Sequence, residues 1–244
     1  MPEELPWLLT RDLEDAKVLA QRLCAQGHRA EPFPCISRAA LPFELPETKA
    51  HVSILITSVF GAQCLWSVWP ECLRRWPRLS VVALAPKTSE WLKAKGVPVA
   101  MEVQGGAQQL SERMAAKLRG QNPPDELVWL SSDAGAARQE QAKAMQKLTP
   151  LTRVHRLLAY STVTAPTLRQ HMAQWHGKRA GLLFCSPSAC DAFFEVRLAT
   201  QKSPVVAKVA CVGESTARAW ENGKEAQEPS PSLWTHVDAF VEGI

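Results

Sequence analysis

The 244-residue sequence predicts an α/β protein made of two similar lobes, each a parallel sheet flanked by helices. Short apolar runs alternate with stretches of helical periodicity, and this alternation occurs twice along the chain. Hydroxyl side chains follow most of the apolar runs. That placement suits a fold whose ligands bind beyond the carboxyl ends of parallel strands.

Residues 7–10 form the first apolar run. Residues 11–26 then carry Leu13, Val18, Leu19 and Leu23 at helical spacing, expected to face a sheet, with Gly27 as the stop. Residues 31–36 read as a second strand interrupted by prolines. The polar stretch 38–49, bearing Pro42 and Pro46, reads as a linker or crossing point between lobes. An apolar strand resumes over 51–57. Between Val52 and Pro70 there is no Asp, Glu, Lys or Arg, a length close to the roughly 20 residues that cross a bilayer. Ser53, Thr57, Ser58, Gly61, Gln63 and Ser67 make it too polar for that, so a buried strand entering a mostly buried helix is expected.

The internal repeat is the most informative feature. The strand ending at Thr57 and Ser58 is followed by an apolar strand over 80–84, then Thr88 and a helix over 89–95 stopped by Gly96. The strand ending at Ser186 and Ser188 is followed by one over 205–212, then Gly213, Ser215, Thr216 and a helix over 217–222 stopped by Gly223. Thr88 follows Ser58, and Thr216 follows Ser186, by the same 30 positions. Residues 8–12 also resemble 129–133, so two copies of one α/β unit account for the chain.

Composition narrows the partners. A net charge of +4, scattered and without Lys/Arg runs, points away from nucleic acid and suits an anionic small molecule. The seven cysteines are odd in number and lack a CxxC pair, and Cys64 and Cys72 are too loosely spaced for zinc. They are expected to be reduced and mostly buried, and no metal site is expected. Glu3 and Glu4 stand where a secretory signal would carry bases, and the apolar stretch behind them breaks at Arg11 and Asp12. The expected location is therefore cytoplasmic.

Thr10, Thr57, Ser58, Ser131, Ser132 and Ser186 each follow a predicted strand, while Thr88 and Thr216 open predicted helices. A helix N-terminus offers free N–H groups and the positive end of its dipole, which together receive anions. Plain N-capping is the other reading of each such residue, and only their recurrence favours a carboxylate-rich ligand. Tyr160, the single tyrosine, sits at a predicted strand end before Pro166, where a phenol can donate a hydrogen bond or a proton. The competing reading leaves its hydroxyl in water. His171 and His176 fall on different helical faces, Ser215 lacks the pattern of a nucleophile elbow, and Gly105 with Gly106 is too short for a phosphate loop. Tryptophans such as Trp66 and Trp69 are expected in the core or in lobe packing.

Taken in order, Leu8, Thr10 and Arg11, then Ile56, Thr57 and Ser58, then Pro86, Lys87 and Thr88, then Ala159, Tyr160 and Thr162 resemble the uroporphyrinogen-III synthase family. The series continues through Phe184, Ser186, Pro187 and Ser188 to Val212, Gly213, Ser215, Thr216 and Ala217. The resemblance covers nearly the whole chain and lies in the order and spacing of its motifs. Ala85, and Val59, Phe60 and Gly61, depart from the family pattern.

What the resemblance implies is two lobes, 1–36 with 165–244 and 37–164, joined by two crossing strands with the active site in the cleft between them. The implied enzyme is a cofactor-free lyase of porphyrin and heme biosynthesis that acts as a monomer. Its substrate would be hydroxymethylbilane, a linear tetrapyrrole with eight carboxylates, closed with its last ring inverted through a spiro intermediate and with loss of water. Tyr160 would be the proton donor. Ser58, Thr88, Ser132, Ser186, Ser188, Ser215 and Thr216 would hold carboxylates, with Arg11 and Lys87 as charge partners. A non-catalytic tetrapyrrole-binding or regulatory module of the same fold is the alternative, motivated by the departures at Ala85 and Val59.

Overall fold

The computed structural model describes residues 5–48, 50–84, 86–104, 124–133 and 152–244, with 112, 116, 143 and 146 singly. Ala85, Gly105 and Gly106 lie outside the described residues. The chain divides into two compact units, Met1–Arg38 with Thr162–Ile244, and Ala39–Ser161. In chain order the described elements begin with β1 (Trp7–Leu9), α1 (Leu13–Ala25), β2 (Ala30–Pro32), β3 (Ile36–Ala40), β4 (Val52–Ile56) and α2 (Val59–Arg75). Next come β5 (Leu79–Leu84), α3 (Lys87–Ala94), β6 (Met101–Val103), β7 (Glu126–Ser132) and β8 (Arg153–Thr164). The last are α4 (Leu168–Trp175), β9 (Arg179–Phe184), α5 (Pro187–Thr200), β10 (Val205–Val212), α6 (Glu214–Gly223), β11 (Ser232–Trp234) and α7 (Val237–Gly243).

The first unit holds a sheet of order β11-β10-β9-β1-β2, parallel throughout. The second unit's sheet has the order β3-β8-β7-β4-β5-β6, and its strands from β8 to β6 are parallel. Read from β11 and from β6, the two orders match strand for strand: β9 stands where β4 does, β10 where β5 does, and β1 where β7 does. The repeat legible in the sequence is thus a repeat of topology, entered at a different strand in each unit. The chain passes between units within β3 and again within β8.

Strands buried on both faces need apolar side chains at consecutive positions. Accordingly Leu8 and Leu182 join one core with α4, α5 and α6, while Leu9 and Leu183 join another with α1 and α7. In the second unit Val52, Ile54 and Ile56 pack under Leu65, Trp69 and Cys72 of α2, and Leu55 meets Val82, Leu127 and Trp129 on the opposite face. Among the described residues no helix is long and apolar enough to cross a membrane.

Several expectations are corrected by packing. Leu13 and Val18 are exposed, and α1 meets the sheet through Ala16, Leu19, Ala20 and Leu23, because small residues let the helix sit close. Trp66 is likewise exposed, while Trp69 is core. The stretch read as a linker or crossing point does hold the passage between units, at Arg38 and Ala39, but the rest is no loose linker: Leu45 is buried, Arg75 Nη1 donates to its carbonyl at 2.6 Å, and Trp76 Nε1 donates to Pro46 O at 3.2 Å. Gly27 and Gly96 stop their helices with φ of 95° and 76°, a region costly for residues with a Cβ. Gly223 has a different role, since a Cβ there would lie 2.3 Å from the Phe194 ring.

All seven cysteines are free thiols; Cys24 is exposed, Cys185 half-buried and the others buried. Burial pushes the thiols of Cys72 and Cys185 up to about 12 and about 11, so both stay protonated at neutral pH. Titration of the native protein with a thiol-reactive disulfide near pH 8 should therefore show one fast group, Cys24, and all seven only after denaturation. Fast reaction of two or more groups in the native protein would contradict this packing.

Candidate functional site

In each sheet the hydroxyl-bearing residues gather at the carboxyl ends of adjacent strands. In the second unit the ends of β7, β4 and β5 carry Ser132, Ser58, and Lys87 with Thr88, and Tyr160 stands level with them opposite Ser132, although β8 does not end there as expected but runs four residues further, to Thr164. In the first unit, β10, β9 and β1 lead to Ser215 and Thr216, then Ser186 and Ser188, then Arg11.

Tyr160 owes its pose to a β-bulge. Ser131 pairs with Leu158 but Ser132 pairs with Tyr160, leaving Ala159 as an extra residue on β8. One extra residue reverses the alternation of side chains, so Ala159 and Tyr160 both enter the core beneath α2. The phenol reaches across the end of β7, and its hydroxyl lies 2.8 Å from Ser58 Oγ at the end of β4. Phe60 packs edge-on against the ring with centroids 5.2 Å apart. Tyr160 is 6% exposed, and its hydroxyl is hydrogen-bonded to protein rather than left to water.

Ser58 and Ser186 are the N-caps of α2 and α5, each accepting from the amide three residues on, Gly61 at 3.0 Å and Ala189 at 3.3 Å. Ser186 Oγ also lies 3.0 Å from Ser188 Oγ. Ser132 is buried, and its carbonyl accepts from Arg156 Nη2 at 2.7 Å while Arg156 Nε donates to Ser131 Oγ at 2.8 Å. Lys87 and Ser215 are exposed.

Thr88 and Thr216 require a correction. The helices open earlier than expected, at Lys87 and Glu214, which turns both threonines inward at 4% and 1% exposure. Ser89 Oγ, not Thr88, makes the hydrogen bond to Pro86 O, at 2.8 Å. Gly213, at φ 84°, starts α6 in a conformation that favours glycine.

Arg11 lines a cavity of about 320 Å³ in the first unit, together with Arg38, Cys185, Ser186, Thr235 and His236. Its guanidinium bonds Asp15 at 2.7 Å, and Arg38 pairs with Asp12 at 2.9 Å and Asp15 at 3.6 Å. Burial alone would raise the Asp15 carboxyl, but the charges of Arg11 and Arg38 and the Arg11 hydrogen bond outweigh it and hold it below the usual carboxylate range. A depressed folded-state value means stability that is complete above about pH 4 and lost as pH falls below it. Asp15→Asn should therefore flatten the acid limb of a stability-against-pH curve. An unchanged limb in urea melts from pH 5 to 3 would exclude this role.

The larger cavity, about 750 Å³, belongs to the second unit and is lined by Glu44, Glu47, Glu71 and Arg75 at the far end of α2 from Ser58. Three acids against one base make it a poor host for a polyanion.

Arg38 and Arg156 gave no sequence signal, and Phe60 and Gly61 stood out only as departures from the family pattern. Arg38 lies 26 positions from Asp12, and Arg156 acts on a strand whose partner only the sheet supplies.

The fold and these strand ends define a duplicated parallel α/β protein whose polar groups at the carboxyl ends are mainly hydroxyls and helix-terminal amides. Within that class the chain belongs to the uroporphyrinogen-III synthase HemD family, whose model matches residues 17–230. It is accordingly an enzyme of the lyase class, in porphyrin and heme biosynthesis. Among solved structures it resembles uroporphyrinogen-III synthetase from Helicobacter pylori, at 13% identity and TM-score 0.61, over 98% of this chain and 97% of that one. It also resembles a mutant uroporphyrinogen III synthase from Thermus thermophilus, at 16% identity and TM-score 0.52, over 98% and 96%. At such identities the likeness is one of fold. Comparison with curated protein sequences gives no match.

Proposed function

We propose that this chain converts hydroxymethylbilane to uroporphyrinogen III, with Tyr160 as general acid. The observation that carries the role of Tyr160 is the phenol hydroxyl held at the strand carboxyl ends, in a protein whose family acts by this name. In the first step the hydroxyl on the first pyrrole ring takes the Tyr160 proton and departs as water with the C–O electron pair. The pyrrole nitrogen's lone pair stabilises the electron-poor methylene that remains. The substituted carbon of the last ring attacks that methylene to give a spiro intermediate, which fragments and recloses with this ring inverted. A proton lost from the reclosed ring restores the phenol, so the overall change is loss of one water.

Spontaneous closure gives the uninverted type I isomer, so the enzyme's main task is to hold the chain in the inverting geometry. Such proximity effects are worth roughly 7–11 kcal/mol. Ser132, Ser186, Ser188 and Ser215, with Arg11 and Lys87, are proposed to meet the carboxylates, through hydroxyls, first-turn amides and side-chain charge. The burial of Thr88 and Thr216 withdraws their hydroxyls, and the Thr216 amide already donates to Gly213 O at 3.1 Å, so of the two only the backbone amide of Thr88 is proposed for this purpose. Isomer analysis of the product tests the reading: type III supports it, and type I alone, or binding of the tetrapyrrole without turnover, overturns it.

A further inference from the structure

We infer that Ser58 is a positioning residue that orients the Tyr160 hydroxyl, not a ligand of a substrate carboxylate. This rests on the proposed role of Tyr160 and assigns a new one to its partner. A serine hydroxyl has one proton to give and two lone pairs. The Gly61 amide occupies one lone pair at 3.0 Å, and Tyr160 Oη lies 2.8 Å away on another side. If Ser58 gives its proton to Tyr160 Oη, the phenol keeps its own proton for a third partner. Amide, serine and phenol then donate in one direction, and each bond polarises the next. The chain of bonds also starts at the N-terminus of the 17-residue helix α2. In that direction Ser58 has no proton left for a carboxylate.

The duplicated fold supplies an internal comparison. Ser186 caps α5 as Ser58 caps α2, yet its hydroxyl meets Ser188 and not a phenol. Where α5 has Ala189, α2 has Gly61. A Cβ on Gly61 would stand at ordinary contact distance from the tyrosine ring, 3.6 Å from Cε1, but a tight 3.1 Å from Ser58 Oγ, so the unit that carries the tyrosine also carries the glycine that leaves the Ser58 hydroxyl room to hold its place. Phe60 adds an edge contact to the same ring. Residues 58, 60 and 61 thus all bear on Tyr160.

The test uses the full chain and the variants Ser58→Gly, Ser58→Thr, Gly61→Ala and Ser186→Gly. Glycine is a tolerated N-cap, so Ser58→Gly keeps the fold. It should lower kcat for type III closure on the order of tenfold, a fraction of what general acid help supplies, with KM within about twofold. Ser58→Thr should recover most of the loss, and in a Tyr160→Phe background Ser58→Gly should cost little more. Because the chain has one tyrosine, the ring carbon signal of labelled Tyr160 is read without ambiguity. That signal should move in Ser58→Gly and Gly61→Ala and stay in Ser186→Gly. A raised KM with kcat preserved, or additive losses with Tyr160→Phe, would make Ser58 a substrate ligand and overturn the inference. So would a Tyr160 signal indifferent to Ser58. Failure of the unmodified protein to form type III product would instead count against the activity, and the tyrosine signal would still decide the Ser58 bond.

Discussion

Tyr160→Phe should reduce kcat for type III closure by roughly 10²–10⁴-fold, the range general acid catalysis supplies. KM should change little, because the proton moves only as the C–O bond breaks and ground-state binding does not draw on it. The ring stays, so its packing against Phe60 and the core under α2 stays with it. Loss of the 2.8 Å bond to Ser58 should cost about 1 kcal/mol of stability, small enough for circular dichroism and melting to show a folded protein. As enzymatic closure slows, the spontaneous type I isomer should take over the product. A variant that keeps the parent kcat would remove Tyr160 from the chemistry.

The second large effect is structural. Trp220→Ala should destabilise the first unit by roughly 3–5 kcal/mol, the usual cost of truncating a buried aromatic to alanine. Trp220 is fully buried, with ring centroids 5.4 Å from Phe184, 5.1 Å from Phe194 and 6.2 Å from Phe193, and its Nε1 donates to Pro229 O at 3.0 Å. Truncation opens a cavity among three phenylalanines that cannot all move in. Leu198→Ala, on the exposed side of α5, should change stability by no more than about 0.5 kcal/mol. Denaturant unfolding of the two variants measures the contrast, and a Trp220→Ala loss under about 1 kcal/mol would mean that the cluster repacks.

Strand and helix identity was readable wherever burial on two faces forces consecutive apolar residues, as at residues 52–56 and 181–184. Helix starts were less readable. Lys87 and Glu214 open their helices without a side-chain cap, so the threonines behind them, which the sequence offers as openers, turn inward. Leu19 and Leu23 face the sheet as their spacing indicates, but Ala16 and Ala20 complete the buried face in place of Leu13 and Val18, a choice set by the distance between helix and sheet. Gly223 looked like a helix stop because glycine usually is one there; Phe194, from another helix, is the reason it is small.

The linear order of residues was enough to establish the duplication, the parallel α/β class and the alignment of hydroxyls at strand ends. Each of these follows from local patterns whose period or spacing is preserved along the chain. Three-dimensional folding alone settled which of those hydroxyls meet. The bulge at Ala159 that turns Tyr160 toward Ser58, the crossing of β7 by the phenol, and the pairing of Arg38 with Asp12 all join residues far apart in sequence. Contacts of that kind depend on strand order and on one-residue shifts in register, which leave no periodic trace for a reader of the sequence.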